Sequence, residues 1–340
     1  MVLSNDNFIL NIITLLIQIV IVLGVILFHA AYTVYAERKI IGRMQARLGP
    51  MEVGPYGLLQ PLADLVKLLL KEDILPLYSH KIIFQIAPLL ILVFTIANLS
   101  VIPFHPNFII ADVNIGVLVI LAFASLGVYG IILAGYSSGS KYSLLGGLRS
   151  AAQVLSYEIP FSLSLAGVIL AAESFSLKDI VNAQVNNTFF GMYAIPQFLG
   201  FIVFLICTFA ESNRVPFDLP EAESELVAGY LTEYSGFRMG MFFLAEYISM
   251  YILALLISLC YFGGWTLPWW LVSLLPLLKI VPPTIILVLK VYFFIFLFIW
   301  VRATFPRYRF DQLMKMSWKI LLPLSLANFI WVALLKWWGF

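Results

Sequence analysis

The sequence predicts an all-α polytopic membrane protein with eight transmembrane helices, and three observations carry that expectation. Charged residues make up only 11% of the 340, against about a quarter in soluble domains, while 62% are hydrophobic. The apolar residues fall in blocks of roughly twenty, the length a helix needs to cross a hydrocarbon core. Lys and Arg sort to alternate connections between the blocks. A closed barrel would show alternating segments of about ten residues, and nothing here alternates over that length. Helices are therefore the spanning element.

The first block, Phe8 to Tyr35, is longer than the ~7–15 residues of a signal-peptide core, and no Lys or Arg precedes it. It reads as a retained first span, 8–35, with its N-terminus outside. The polar stretch 36–81 follows as a long inner loop. Within it Gly57 to Lys71 reads as a short amphipathic helix: Gln60, Asp64, Lys67 and Lys71 form one stripe at steps of four, three and four, with Leu58, Leu62, Leu65 and Leu69 over the rest. Such a helix belongs at the membrane surface. Its stripe is either a solvated edge or, through Asp64 and Lys67, one wall of a pocket.

Further spans are expected at 82–104, 113–136, 150–172, 195–212, 239–262, 283–302 and 317–338. The connections after the first, third, fifth and seventh then carry most of the basic residues, from Arg38, Lys39, Arg43 and Arg47 through Lys141, Arg149, Arg214 and Arg238 to Arg302, Arg307, Arg309 and Lys315. The opposite face holds little beyond Lys178, Lys279 and Lys336. The positive-inside rule puts the basic face in the cytoplasm, or in the matrix of an organelle, and both termini on the outer side. The stretch 265–283 is apolar, but Pro268, Pro276, Pro282 and Pro283 interrupt it. Counting it as a span would also put Arg302 to Lys319 outside. It reads as an interfacial or re-entrant outer segment with Trp265, Trp269 and Trp270 in the aromatic belt. No internal repeat is visible and no loop is long enough for a soluble domain, so residues 1–340 form a single integral membrane domain.

Carboxylates are concentrated where an apolar chain would avoid them. Six of the eighteen acidic residues lie between Glu211 and Glu233, in the acidic inner loop 211–238. Glu158 sits nine residues into the fourth span, roughly 13 Å below its inner end, and Glu246 lies at a similar depth in the sixth. Two intramembrane glutamates at one depth are a functional hypothesis by default. Glu211 ends the fifth span, and Arg214, three residues on, is placed to pair with it. Pro216 and Pro220 disfavour helix until about Asp218, which reads as an N-cap with Glu221 as its capping partner. Beyond it, Glu221 and Glu225 share a face if the chain is helical, and Glu223 joins them if it is extended. Crowded carboxylates cannot all ionise cheaply, which gives coupled titration. A solvated acidic loop is the other reading of the same run.

Other polar exceptions read as structural. His29 is expected as a packed or hydrogen-bonded core residue, and Lys290 as a side chain snorkelling to the outer interface. Cys207 and Cys260 fit apolar packing better than metal, haem or iron-sulfur ligation, so no metal site is expected. Gly146-Gly147 and Gly263-Gly264 lack the strand-turn-helix context of a phosphate loop. With no nucleophile-base arrangement either, redox chemistry must come from a partner.

Five segments make a specific resemblance: Ala36-Glu-Arg-Lys39, Gly42-Arg-Met-Gln-Ala-Arg-Leu-Gly-Pro50, Gly54-Pro-Tyr-Gly-Leu-Leu-Gln-Pro-Leu-Ala-Asp64, Gly146-Gly-Leu-Arg-Ser-Ala-Ala-Gln153 with Ser156-Tyr-Glu158, and Glu211 to Gly236. In order and spacing they resemble the family of membrane subunits known as subunit 1, or the H-type subunit, of NADH-quinone oxidoreductase (complex I). The resemblance implies a heel joining the membrane arm to the peripheral redox arm and forming much of the quinone chamber. Glu37, Arg38, Arg47, Asp64 and Lys67 would contribute to the chamber mouth, with Phe237 and Arg302 as further wall residues. Glu158, Glu211, Glu221, Glu223 and Glu246 would form the acidic route to proton-pumping subunits, with Asp218, Glu225 and Glu233 as neighbours, and Arg214 would orient the loop by pairing with acidic residues.

The same resemblance implies quinone as substrate, no covalently bound cofactor, and NADH, flavin and iron-sulfur clusters on partner subunits. Partners would be the other membrane-arm subunits, the quinone-proximal peripheral subunits and the lipid bilayer, without nucleic acid. A bacterial inner (cytoplasmic) membrane is the expected location, with the mitochondrial inner membrane as the alternative. The equivalent subunit of a ferredoxin-, formate- or hydrogen-fed complex, a stand-alone cation transporter and a purely structural anchor are the competing readings.

Overall fold

Long apolar helices dominate the computed structural model, which describes residues 5–186, 191–218, 227–274 and 280–338. In chain order they are α1 (Asn5–Met44), α2 (Gln60–Leu70), α3 (Lys81–Asn98), α4 (Gly116–Ser137), α5 (Lys141–Ala172), α6 (Leu177–Asn186), α7 (Phe198–Glu211), α8 (Gly236–Tyr261), α9 (Trp269–Leu274), α10 (Pro283–Thr304) and α11 (Phe310–Trp337), the last with a π-helical turn at Ser317–Leu321. No β-strand forms among the described residues. Among the described residues seven helices, α1, α3, α4, α5, α8, α10 and α11, are long and apolar enough to cross a membrane. The fifth expected span, α7, is apolar but has only 14 residues. At 1.5 Å per residue it covers about 21 Å of a core about 30 Å thick.

Several helices outrun the expected spans. α1 continues nine residues past position 35, because Ala, Glu, Arg, Lys, Ile and Met favour helix strongly enough to carry the single Gly42, and the helix gives way before the left-handed Ala46. Glu37 and Arg38 thus ride on a rigid helix rather than a loop. α5 likewise starts nine residues before position 150. Patterning assigns no element to 173–194, yet α6 forms there, burying Leu177, Ile180 and Val181 and sending Gln184 Nε2 to the carbonyls of Leu259 and Cys260.

Helix α8 is the axis of the core. Every residue from Met250 to Tyr261 is at most 6% exposed, and α1, α3, α6, α7 and α10 all pack on it. Cys207 and Cys260 are free thiols inside this core. α3, α4 and α5 pack in sequence order, and α5 continues onto α7 and α11. By contrast α1 turns Leu16, Val20 and Phe28 outward, with 55%, 68% and 57% exposure, a surface suited to lipid rather than water.

The Gly146-Gly147 pair allows backbones to touch. A Cβ on Gly146 would lie 2.5 Å from Gly229 Cα, and one on Gly147 3.2 Å from Ile131 O. Helix α5 therefore meets the 3-10 turn Gly229–Leu231 on one side and α4 on the other without intervening side chains.

At the other end of the core, Lys290 does not snorkel outward. Its ammonium donates to the carbonyls of Phe262, Gly264 and Thr266 at 2.6, 2.8 and 2.6 Å. The chain turning away from the end of α8 leaves carbonyls without helical partners, and the three donors of one lysine satisfy them. This turn also buries Trp265 to 5% exposure, while Trp269 and Trp270 are 61% and 37% exposed. Of the three tryptophans expected at the interface, Trp265 is instead a core residue. His29 stacks on Tyr251, with ring centroids 5.3 Å apart, and hydrogen-bonds the Tyr292 hydroxyl.

Gly146→Ala forces backbone against backbone and should destabilise the fold by about 2 kcal/mol, read as a lowered thermal midpoint in mild detergent. Lys290→Met strands three carbonyls and should cost about 3 kcal/mol in the same assay, with Lys290→Arg milder than Met.

Candidate functional site

The inner end of α1 begins the site. Glu37 is 6% exposed, whereas Arg38, one helical step around, faces outward with 48% side-chain exposure. Three elements bring partners to the Glu37 carboxylate. Tyr247 of α8 donates its hydroxyl at 2.9 Å, and Arg302, in the last turn of α10, forms an ion pair with it. Arg214, from the loop after α7, donates Nη1 to both carboxylate oxygens at 3.4–3.5 Å. Arg214 Nε also pairs with Glu246 of α8, and its guanidinium lies 4.2 Å above the Tyr247 ring. Two guanidiniums thus face two carboxylates in a mostly buried, charge-balanced cluster, the condition under which charges survive burial. Burial works against the charge of Arg214, but Glu246, Tyr247 and Glu37 together outweigh it and hold the guanidinium above its ordinary range.

The spacing Glu211 to Arg214 suggests a local ion pair, and the structure replaces it with this long-range one. The pair would need α7 to continue. Instead α7 ends at Glu211, and Asn213 adopts a left-handed conformation with φ 50° that swings Arg214 toward α1 and α8. Asp218 is 5% exposed and receives Arg307 Nη2 at 2.9 Å, while Tyr308 N donates to Pro216 O at 3.1 Å. The loop is thereby clasped to the α10–α11 connection. The helix that Asp218 would cap lies outside the described residues, as do Glu221, Glu223 and Glu225.

Gln153 of α5 was not singled out by patterning. Its Nε2 donates to Ala210 O at 3.1 Å and to Phe217 O at 2.8 Å, tying the two ends of the loop together. The only sequence signal was a polar residue at a position that α5 buries.

Toward the inner surface, a cavity of about 570 Å³ is lined by Glu37, Arg38, Arg47 and Gln60 together with Ile41 and the turn 48–53. Asp64 of α2 joins this wall indirectly, accepting Arg38 Nη1 at 2.7 Å and Gln60 Nε2 at 2.9 Å. Lys67 is exposed one turn farther along α2, and Phe237, 52% exposed, opens α8. Neither lines that cavity. On the membrane side, Glu246 and Glu211 line a second cavity of about 120 Å³ with Asn98, Asn213, Thr95 and Ser249. Glu158 of α5 is partly buried and keeps Oε1 without a hydrogen-bond partner among the described residues.

Glu37 therefore belongs to the inner cavity and to the ionic cluster, and Glu246 belongs to the cluster and to the membrane-side cavity. Arg214 is the group between them. Arg214→Met would leave both buried carboxylates short of a counter-charge and should cost about 3–5 kcal/mol. The loss of thermal midpoint should exceed that of Glu37→Gln, which neutralises one carboxylate, because Glu37 keeps Arg302 while Glu246 loses its ion-pair partner.

The family described as NADH dehydrogenase matches residues 17–333. The chain is 48% identical to the NADH-quinone oxidoreductase H-type subunit 2 of Koribacter versatilis, with 94% of this chain and 96% of that protein covered. It is 51% identical to the H-type subunit of Rhodospirillum rubrum, with 89% and 87% covered, and 49% identical to that of Brevibacillus brevis, with 94% and 92% covered. The family match over residues 17–333 and relatives 48–51% identical over most of the chain agree: the chain belongs to the NADH dehydrogenase family of membrane subunits.

Proposed function

We propose that this chain, as the H-type membrane subunit of an NADH-quinone oxidoreductase, forms the quinone chamber at the junction with the peripheral arm and passes the consequence of quinone reduction to a chain of glutamates. The observation that carries the reading is that one guanidinium, Arg214, serves both Glu37 at the inner cavity and Glu246 at the membrane-side cavity. NADH, flavin and iron-sulfur clusters belong to partner subunits, and the electrons reach the quinone from there.

A quinone tail enters between apolar helices, while its headgroup needs a pocket with a few convergent polar groups. The inner cavity offers Glu37, Arg38 and Arg47, with Asp64 held behind Arg38. Lys67, Phe237 and Arg302 are further wall residues in this reading. Reduction adds two electrons and takes up two protons, which changes charge beside Glu37. Any loss of negative charge there weakens its hold on Arg214 and leaves that guanidinium more fully to Glu246. Glu246, Glu211 and Glu158, with Glu221 and Glu223 of the acidic loop, then carry the proton or charge signal. Arg214 and Asp218 orient the loop through their separate clasps.

In this reading α7 is an eighth, short span, which the bilayer accommodates by local thinning. Both termini lie outside, and the whole chain is one membrane domain. α2 lies at the inner membrane surface, supported by the exposure of Leu62, Leu65, Leu69 and Leu70 at 53–81%. The segments 36–81 and 211–238 face the quinone-proximal peripheral subunits, and the remaining surface meets membrane-arm subunits and lipid. The bacterial relatives support a bacterial inner membrane.

Glu158→Gln and Glu211→Gln should each abolish proton pumping in proteoliposomes containing the assembled complex, because a neutral amide keeps the shape and removes the proton site. Normal pumping by normally assembled variants would sink the coupling role. Cation transport by the purified chain alone would favour a stand-alone transporter.

A further inference from the structure

Arg214 lies within the segment 211–216, and one side chain of α5 holds both ends of that segment. Gln153 is fully buried, and its Nε2 donates to Ala210 O at 3.1 Å and to Phe217 O at 2.8 Å. Two oxygens bound to one nitrogen lie no more than about 6 Å apart. The orientation of the amide follows from its partners, since the reversed group would set its oxygen against two carbonyl oxygens. Both donor hydrogens are thus engaged by the loop, while Oε1 stays buried without a partner among the described residues. An unmet buried acceptor is a cost that the two bonds to the loop must outweigh.

Other bonds set the shape of the loop rather than its place. Asn213 N donates to Ala210 O at 3.3 Å and Phe217 N to Arg214 O at 2.8 Å, so two tight turns meet at Arg214. These bonds are internal and travel with the loop. Seating against the helices comes from α5. One turn beyond Gln153, the Tyr157 ring meets Phe217 edge-on with centroids 5.6 Å apart, and its hydroxyl donates to Leu313 O at 3.1 Å.

Placement matters at Arg214 because its partners stand on two helices. Nη1 reaches Glu37 of α1 at 3.4–3.5 Å, the long limit of a hydrogen bond, while Nε pairs with Glu246 of α8. A displacement of about 1 Å away from α1 would lose Glu37 and leave the guanidinium to Glu246 alone.

We propose that Gln153 is a positioning residue for coupling: its amide pins both ends of the loop to α5 and so holds Arg214 where one guanidinium serves Glu37 and Glu246 together. The pin stands on the geometry. Its bearing on proton movement rests on the function proposed above.

The test uses the assembled complex in proteoliposomes, with a short-chain benzoquinone as electron acceptor. Gln153→Met keeps the length and apolar bulk of the side chain and donates nothing. Amide hydrogen exchange over 211–217 should quicken about tenfold, as expected for two lost hydrogen bonds, with exchange in α8 unchanged. Protons pumped per quinone reduced should fall several-fold at unchanged quinone KM, because Glu37 keeps Arg302 and Tyr247. A merely structural lesion would instead lower the amount of assembled complex and leave the pumping ratio alone. Should Gln153→Met fail to assemble, Gln153→Asn keeps the donors on a shorter arm and should show the same changes at smaller size. Unchanged exchange over 211–217 overturns the pin. Faster exchange with a normal pumping ratio overturns the role in coupling if Glu158→Gln is inactive. If Glu158→Gln also pumps normally, the glutamate route has failed and the pin stands.

Discussion

Sharing of the Arg214 guanidinium between Glu37 and Glu246 is the constraint on which the inner half of the molecule rests. A buried ion pair with one partner on each side is a closed unit, indifferent to its surroundings. A guanidinium held by two carboxylates on different helices is a junction. It fixes the inner end of α1 against α8, draws the loop after α7 over both, and makes the electrostatic state of either carboxylate depend on the other. The planar five-donor geometry of arginine permits this, where a lysine point charge would hold either partner less firmly. Arg302 and Tyr247 complete the shell of Glu37, so side chains from α8, α10 and the loop after α7 converge on one carboxylate of α1.

The loop carrying Arg214 is itself held from three directions, by Gln153 beneath, by the Asp218–Arg307 clasp at its far end, and by the Gly146–Gly229 backbone contact beyond it. These clasps come from α5 and from the α10–α11 connection, elements far apart in sequence. Polar side chains in an apolar chain are being used here as long-range staples. Each costs insertion energy, and each is offset by a specific partner.

The apolar blocks made the fold class legible, and they located four of the eight expected segments to within three residues at both ends, because a hydrocarbon core imposes length and composition directly. Glu158 and Glu246 stood out because any intramembrane carboxylate does. The extensions of α1 and α5 were hidden since charged helix formers look the same in a helix as in a loop. α6 was missed because a ten-residue helix over a partly polar stretch has little periodic signal. The Arg214 partnership was misread for a definite reason: sequence spacing reports neighbours only while a helix continues, and the left-handed Asn213 breaks it. Gln153 and Asn98 left almost no mark. A buried amide is informative only once its carbonyl partners, or its lack of them, are known.

Lys290 places one positive charge deep in the core at the end opposite Arg214, held by three carbonyls at the end of α8, the same helix that carries Glu246 fifteen residues before Tyr261. At 1.5 Å per residue the two lie about 25 Å apart along the axis or less. A cation moving outward along α8 would approach a like charge in a medium too apolar to screen it. The lysine that closes the helix therefore also raises the electrostatic cost of any cation crossing beside α8.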